Sequence, residues 1–173
     1  MGKGKVKAST PPADQMTSYM FLGPVSSASN EDFLKEKGIS HILSIGTTPR
    51  RHFGHITYER LALNDDLHSD IESTVDRASA FIDGARACGT NVLIHCFAGI
   101  SRSPAIATAY LVAKDDMSLK QALGIVVRAR PQVSPNRGFI AALKLIEQRC
   151  KGSVSLDADE LPSQKTKRLA LFE

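Results

Sequence analysis

The run Asn91-Val92-Leu93-Ile94-His95 limits the fold more than any other stretch of this chain. Its aliphatic and β-branched side chains do not alternate with polar ones, so both faces of a strand built from them must be covered. Such a strand sits in the middle of a sheet with helices on either side. Its neighbours fit that arrangement. Met20-Phe21-Leu22 and His41-Ile42-Leu43-Ser44-Ile45 are short apolar runs closed by Gly23 and Gly46, and each reads as a strand. Tyr58 to Leu63 alternates polar and apolar residues, as a strand with unlike faces does. A short helix is predicted over Asn30 to Lys37, ended by Gly38. A longer one is capped at Ser69 or Asp70, carries Ile71, Val75, Ala78, Ile82 and Ala85 on one stripe, and stops before Gly89. Further helices run from Ser103 through Ala113, from the capping-box spacing Ser118-Leu119-Lys120-Gln121 up to Pro131, and from Pro135 to Cys150. The expected fold class is α/β, a central, mainly parallel, twisted sheet flanked by helices.

With 173 residues, 42% of them hydrophobic, the chain can bury one core. Residues 1–16 are polar, basic and proline-containing and read as a disordered tail. Residues 17–150 form the compact domain. Residues 151–173 mix acidic and basic groups around few apolar ones and read as a flexible tail. No apolar run reaches the length of a membrane span. The basic start lacks the apolar stretch of a secretory signal, and Val6 stands where a myristoylation motif wants Ser or Thr. The three cysteines, Cys88, Cys96 and Cys150, include no C-x-x-C pair, which argues against a disulfide framework and against zinc. A reducing compartment, cytoplasm with nucleus as the second choice, fits that usage. A net charge of +4 without a dense basic face gives no reason to expect a nucleic-acid partner. Lys165-Thr166-Lys167-Arg168 is too short to make a nuclear address by itself.

The chemistry is concentrated where the central strand ends. His95-Cys96-Phe97-Ala98-Gly99-Ile100-Ser101-Arg102-Ser103 runs from strand to helix, with five residues between Cys96 and Arg102. A loop of that length can curl so that its backbone N–H groups from Phe97 through Arg102 point inward, at the positive end of the following helix. Gly99 relieves the tight curl. Arg102 adds a rigid fork of donors matched to two phosphate oxygens. The same field acts on sulfur, since a thiol with pKa near ~8.5 falls to roughly 3.5–7.5 at helix N-termini and beside cations. Cys96 is therefore expected as a thiolate nucleophile beneath a bound phosphate. The leaving oxygen needs a proton. The segment Leu63-Asn64-Asp65-Asp66-Leu67-His68 lies after a strand and before a helix, so it reaches the same edge of the sheet. Asp65 is the first candidate for the acid and Asp66 the second; the alternative for either is a helix cap. Cys88 reads as a buried helix-end residue, with a disulfide to Cys96 as the alternative.

These residues resemble the dual-specificity phosphatases of the cysteine-based protein tyrosine phosphatase superfamily. The loop matches H-C-x-x-G-x-x-R-[ST] at each fixed position. Ala109-Tyr110-Leu111 is similar to the A-Y-L on the family's following helix, and Arg130-Pro131 through Pro135-Asn136-Arg137-Gly138-Phe139 to R-P-x-x-x-P-N-x-G-F. The likeness covers residues 19–149. It implies Cys96 as nucleophile, Arg102 as phosphate clamp and Asp65 as acid. It implies that the Ser103 hydroxyl assists the thiolate, that His95 orders the loop and tunes the sulfur, and that Asn136 braces the active-site loops. It also implies the tyrosine phosphatase fold, a phosphorylated protein as substrate, and no metal or cofactor. No rhodanese-like segment precedes the core, so a small, atypical member is expected. Phe97, Ala98 and Ile100 stand where lipid-directed relatives often carry lysines, which favours phosphotyrosine, phosphoserine and phosphothreonine in proteins. The alternatives are a lipid, RNA 5′-phosphate or phosphoglucan substrate, or a phospho-binding pseudophosphatase.

Overall fold

A computed structural model describes residues 11–173. Its strands are β1 (Asp14–Gln15), β2 (Met20–Gly23), β3 (Ile39–Ile45), β4 (Thr57–Leu61) and β5 (Asn91–His95). They form one sheet in the order β1-β2-β5-β3-β4. β5 is parallel to both neighbours, β2 and β3, and β4 continues the parallel set beside β3. β1 is antiparallel, pairing Asp14 with Leu22 and Gln15 with Phe21. The helices are α1 (Glu31–Glu36), α2 (Glu72–Ala87), α3 (Arg102–Lys114), α4 (Leu119–Ala129), α5 (Arg137–Lys151) and α6 (Lys165–Ala170).

The central strand shows why its run is apolar throughout. Val92 and Ile94 pack into the larger core with residues of α2 to α5, while Leu93 faces a second core with Phe33 and Leu34 of α1, Phe21 and Ile42. Each such side chain contributes about 1.5–3 kcal/mol when fully buried. The helix starts follow the sequence. Asn30 caps α1 and Asn136 caps α5, each accepting a backbone N–H at 3.0 Å from Phe33 and Phe139 respectively. Ser118 and Gln121 form the reciprocal capping box of α4. Asp70 accepts the Ser73 N–H at 3.2 Å ahead of α2. The expected α/β class with a mainly parallel sheet stands.

Both tails are corrected where the structure describes them. Residues 1–10 lie outside the described residues, and with them Val6 and the basic start. Residues 13–16, expected in a disordered tail, instead carry β1 and bury Ala13 and Met16. Residues 151–173 are not a loose tail in the structure. Leu156, Leu161 and Phe172 enter the larger core, and α6 packs on α4. The anchoring is polar as well. Arg168, 6% exposed, donates to the carbonyls of Pro131, Pro162 and Ser163. Buried Glu147 accepts N–H groups of Leu119 at 2.8 Å and Ser155 at 2.9 Å, so its charge meets the N-terminus of α4 and fixes the chain after α5. Three widely spaced apolar residues hold this segment, and no periodic pattern announces them.

Candidate active site

The parallel sheet brings the C-terminal ends of β2, β3 and β5 to one edge. His95 is the last residue of β5 and is fully buried. Its Nε2 meets the Ser44 hydroxyl at 2.7 Å, and its Nδ1 lies 3.1 Å from the Cys96 carbonyl. Burial pushes its pKa down to about 4, so at neutral pH the ring is uncharged. Nδ1–H then donates to the Cys96 carbonyl, and Nε2 accepts from Ser44. His95 thus links β3 to the first peptide of the loop through a neutral ring.

The carbonyls that follow explain the shape of the loop. Cys96 C=O accepts from His95, and Phe97 C=O accepts the Val25 N–H at 3.0 Å. Ala98 and Gly99 carbonyls accept the Arg130 guanidinium at 3.1 and 2.8 Å. Ile100 C=O accepts the Ser134 N–H at 2.7 Å. A planar trans peptide points the next N–H opposite to its carbonyl. With these carbonyls engaged by the surroundings, the N–H groups of Phe97, Ala98, Gly99, Ile100 and Ser101 turn inward. Gly99 has φ +66°, and a Cβ there would meet the Gly23 carbonyl at 2.6 Å, so the curl needs glycine on both counts.

Inside this ring lies Cys96, 2% exposed. Its Sγ accepts the Gly99 N–H and the Ser103 hydroxyl, each at 3.2 Å. Burial pushes the thiol pKa up, but the hydrogen bonds from Ser103, Gly99 and Ile100 outweigh it and leave the group below its ordinary value. Arg102 opens α3 and sends one guanidinium nitrogen to the Gly46 carbonyl at 3.4 Å. Its Nε is buried without a hydrogen-bond partner among the described residues. Gly46, at φ +67°, leaves the room that the guanidinium crosses; a Cβ there would collide with Arg102 and the Leu63 carbonyl.

The acidic pair resolves into two different residues. Asp65 Oδ1 accepts the Ser101 hydroxyl at 2.7 Å and the Asn136 amide at 2.9 Å. Asp66 turns to its own loop, where its carboxylate accepts the His68 N–H at 2.9 Å and titrates below the usual carboxylate range because of that bond. Its backbone carbonyl takes a second Asn136 bond at 3.1 Å. Asn136 thus ties the acid loop to α5 while capping that helix. The structure brings Cys96, Arg102, Ser103, His95, Asp65 and Asn136 together. Cys88 is exposed rather than buried, at the far end of β5 from Cys96. Five strand residues at about 3.3 Å each separate them, well beyond the roughly 7 Å limit between disulfide-bonded Cα atoms.

Four supports escaped the sequence reading: Ser44, Asp14, Arg130, and the side chain of Ser101, which also accepts the Asn136 N–H at 3.1 Å. Arg130, 8% exposed, holds two loop carbonyls and pairs with Asp14 at 2.8 Å. Its place at the head of the Arg130-Pro131 segment marked it in the sequence, but nothing there assigned it these partners.

A mainly parallel sheet whose central strand ends in a curled loop around a cysteine with lowered pKa, followed at once by a helix, is the architecture of the protein tyrosine phosphatase-like fold. The chain belongs within it to the dual specificity phosphatase family: residues 20–149 match the family's catalytic domain. That domain is a protein tyrosine/serine/threonine phosphatase domain. Dual specificity protein phosphatase 1 of Arabidopsis thaliana is 40% identical over 75% of this chain, which spans 66% of that relative. Dual specificity protein phosphatase 1-B of Xenopus laevis is 34% identical over 78% of this chain, which spans 37% of it. Among solved structures, a mouse putative dual specificity phosphatase complexed with zinc tungstate superposes with TM-score 0.80 at 28% identity. That match covers 87% of this chain and 96% of the other.

Proposed function

We propose that the chain removes phosphate from phosphotyrosine, phosphoserine and phosphothreonine in proteins through a phosphocysteine intermediate. The observation that carries this reading is the Cys96 sulfur, its pKa lowered by the Ser103, Gly99 and Ile100 hydrogen bonds inside inward-turned amides, at the start of the helix that Arg102 opens. A phosphate seated there meets the amides of Phe97 to Ser101 and the Arg102 fork. The Cys96 thiolate attacks phosphorus as the P–O bond to the leaving group breaks, and the Asp65 carboxyl gives that oxygen its proton. Water then attacks the phosphorus, Asp65 takes a proton from it, and the P–S bond breaks. The Ser103 hydroxyl stabilises the departing thiolate, and inorganic phosphate leaves. Amides and guanidinium stabilise the equatorial charge in both steps.

The exposure of Phe97 and Ile100 on the cradle loop supports the broad substrate range. The mouse neighbour's tungstate complex, an oxyanion complex by its name, agrees with an anion cradle. A reduced, cytoplasmic or nuclear setting suits a mechanism that needs Cys96 as free thiolate. The test is hydrolysis of p-nitrophenyl phosphate and of phosphotyrosine and phosphothreonine peptides with chelator present. Cys96→Ser is expected to abolish turnover, and Asp65→Asn to slow it about 10²-fold or more on the phosphopeptides and less on p-nitrophenyl phosphate. Undiminished activity in Cys96→Ser ends the proposal.

A further inference from the structure

Beside the cradle lies a cavity of about 540 Å³, lined by Val25, Ser29, Thr47, Thr48, Arg50 and Phe97 among others, with a mostly apolar surface. It joins the candidate active site at two points. Phe97 is the residue after Cys96 and belongs to both. Thr47 follows Gly46, whose carbonyl takes the Arg102 hydrogen bond. Arg50 stands exposed at this groove and has no carboxylate within salt-bridge distance among the described residues. Its neighbour Arg51 is turned over the Phe53 ring at 5.1 Å.

The distribution of exposed apolar groups points the same way. Among the described residues the large exposed hydrophobics are Leu67, Phe97, Ile100, Leu145 and Val154. Phe97 and Ile100 stand on the cradle loop and Leu67 on the acid loop. Phe97 is 66% exposed, a cost that fold stability does not require. Exposed apolar surface gathered at one place marks a contact surface. Three of the five stand on the two loops that carry Cys96 and Asp65.

We propose that this groove is a specificity subsite. It seats an apolar side chain of the substrate polypeptide close to the phosphorylated residue, and Arg50 pairs with an acidic residue beside it. The inference rests on the phosphatase reading above. An extended peptide advances about 3.3–3.6 Å per residue, so the groove takes a side chain within about three positions of the phosphate. The volume lies in the roughly 300–1,000 Å³ range of small-molecule sites, so it has room for a side chain together with part of the peptide that carries it. A concave site of this kind suits a protruding side chain, whereas a flat lipid surface leaves it unfilled. The cation at the rim selects an acidic neighbour.

The experiment uses phosphotyrosine peptides that carry Leu or Ser, each beside Asp or Lys, at each of three positions on either side. kcat/KM is measured for wild type, Arg50→Glu and Thr48→Trp. Each value is taken as a ratio to the same protein's rate on p-nitrophenyl phosphate, which has no flanking residues. Wild type is expected to favour the Leu-Asp peptide over Ser-Lys by about tenfold at one set of positions. Arg50→Glu should reverse the Asp-over-Lys preference. Thr48→Trp, which fills the groove, should erase the Leu-over-Ser preference. Equal ratios across peptides in wild type overturn the subsite, as do preferences that neither variant alters. Binding to phosphatidylserine vesicles that Thr48→Trp abolishes, without peptide selectivity, also overturns it in favour of a lipid contact. Loss of hydrolysis of both p-nitrophenyl phosphate and every peptide in wild type is the separate failure, that of the phosphatase reading.

Discussion

Ser103 and Ser101 are two residues apart and act on different partners. Ser103 donates to the Cys96 sulfur at 3.2 Å. Removing that donor makes the thiolate less stable, so Ser103→Ala should raise the Cys96 pKa. Iodoacetamide alkylation at pH 6 should then slow severalfold, and the two proteins should converge at alkaline pH, where both are ionised. Equal rates at pH 6 would show that the backbone amides suffice. Ser101 instead donates to Asp65 at 2.7 Å. Ser101→Ala should leave the carboxyl held by the Asn136 amide alone. The loss should be about tenfold on aryl phosphates with poor leaving groups, and smaller on p-nitrophenyl phosphate, whose leaving group needs little protonation. Cys96, Arg102 and Asp65 could be singled out from the sequence because residue type, spacing and position after a strand all agree. The Ser101 side chain could not, because its partner lies on a loop 36 positions away.

Between elements, Arg130 is a buried link with three partners. It leaves the end of α4 and spans two loop carbonyls and Asp14, next to β2's edge. Arg130→Met keeps the stem but strands those acceptors, each costing about 1–3 kcal/mol if buried and unpaired. We expect tungstate inhibition to weaken by about tenfold, with α-helical circular dichroism unchanged. Asp14→Asn should show a smaller effect in the same direction. The helices were legible from periodicity and caps, and β5 was placed residue for residue. β1 was not, because two strand residues carry no period. α6 was not, because its burial depends on Arg168 and Phe172 finding α4 and Pro131, contacts that no local pattern encodes.

For the whole molecule, the segment after α5 belongs to the folded unit. Phe172→Ala should lower unfolding free energy by about 3 kcal/mol in urea, as truncation of a core aromatic does. A loose tail would leave it unchanged. His95 adds a pH term. Its pKa is about 4 folded against about 6.5 unfolded. The unfolded chain binds the extra proton between these values, so the contribution is complete above pH ~6.5 and declines as pH falls toward ~4. Its full size is roughly 3 kcal/mol. His95→Asn should flatten that part of the stability profile, measured by urea titration from pH 7 to 4.

The run of engaged carbonyls from Cys96 to Ile100 has a practical meaning for solution work. With those carbonyls engaged by their surroundings, the loop turns hydrogen rather than oxygen toward its interior, an arrangement suited to a tetrahedral oxyanion rather than to sodium, potassium or magnesium. Two buffers of equal ionic strength should give different apparent affinities if one contains a tetrahedral oxyanion, and the choice of counter-ion to it should be immaterial.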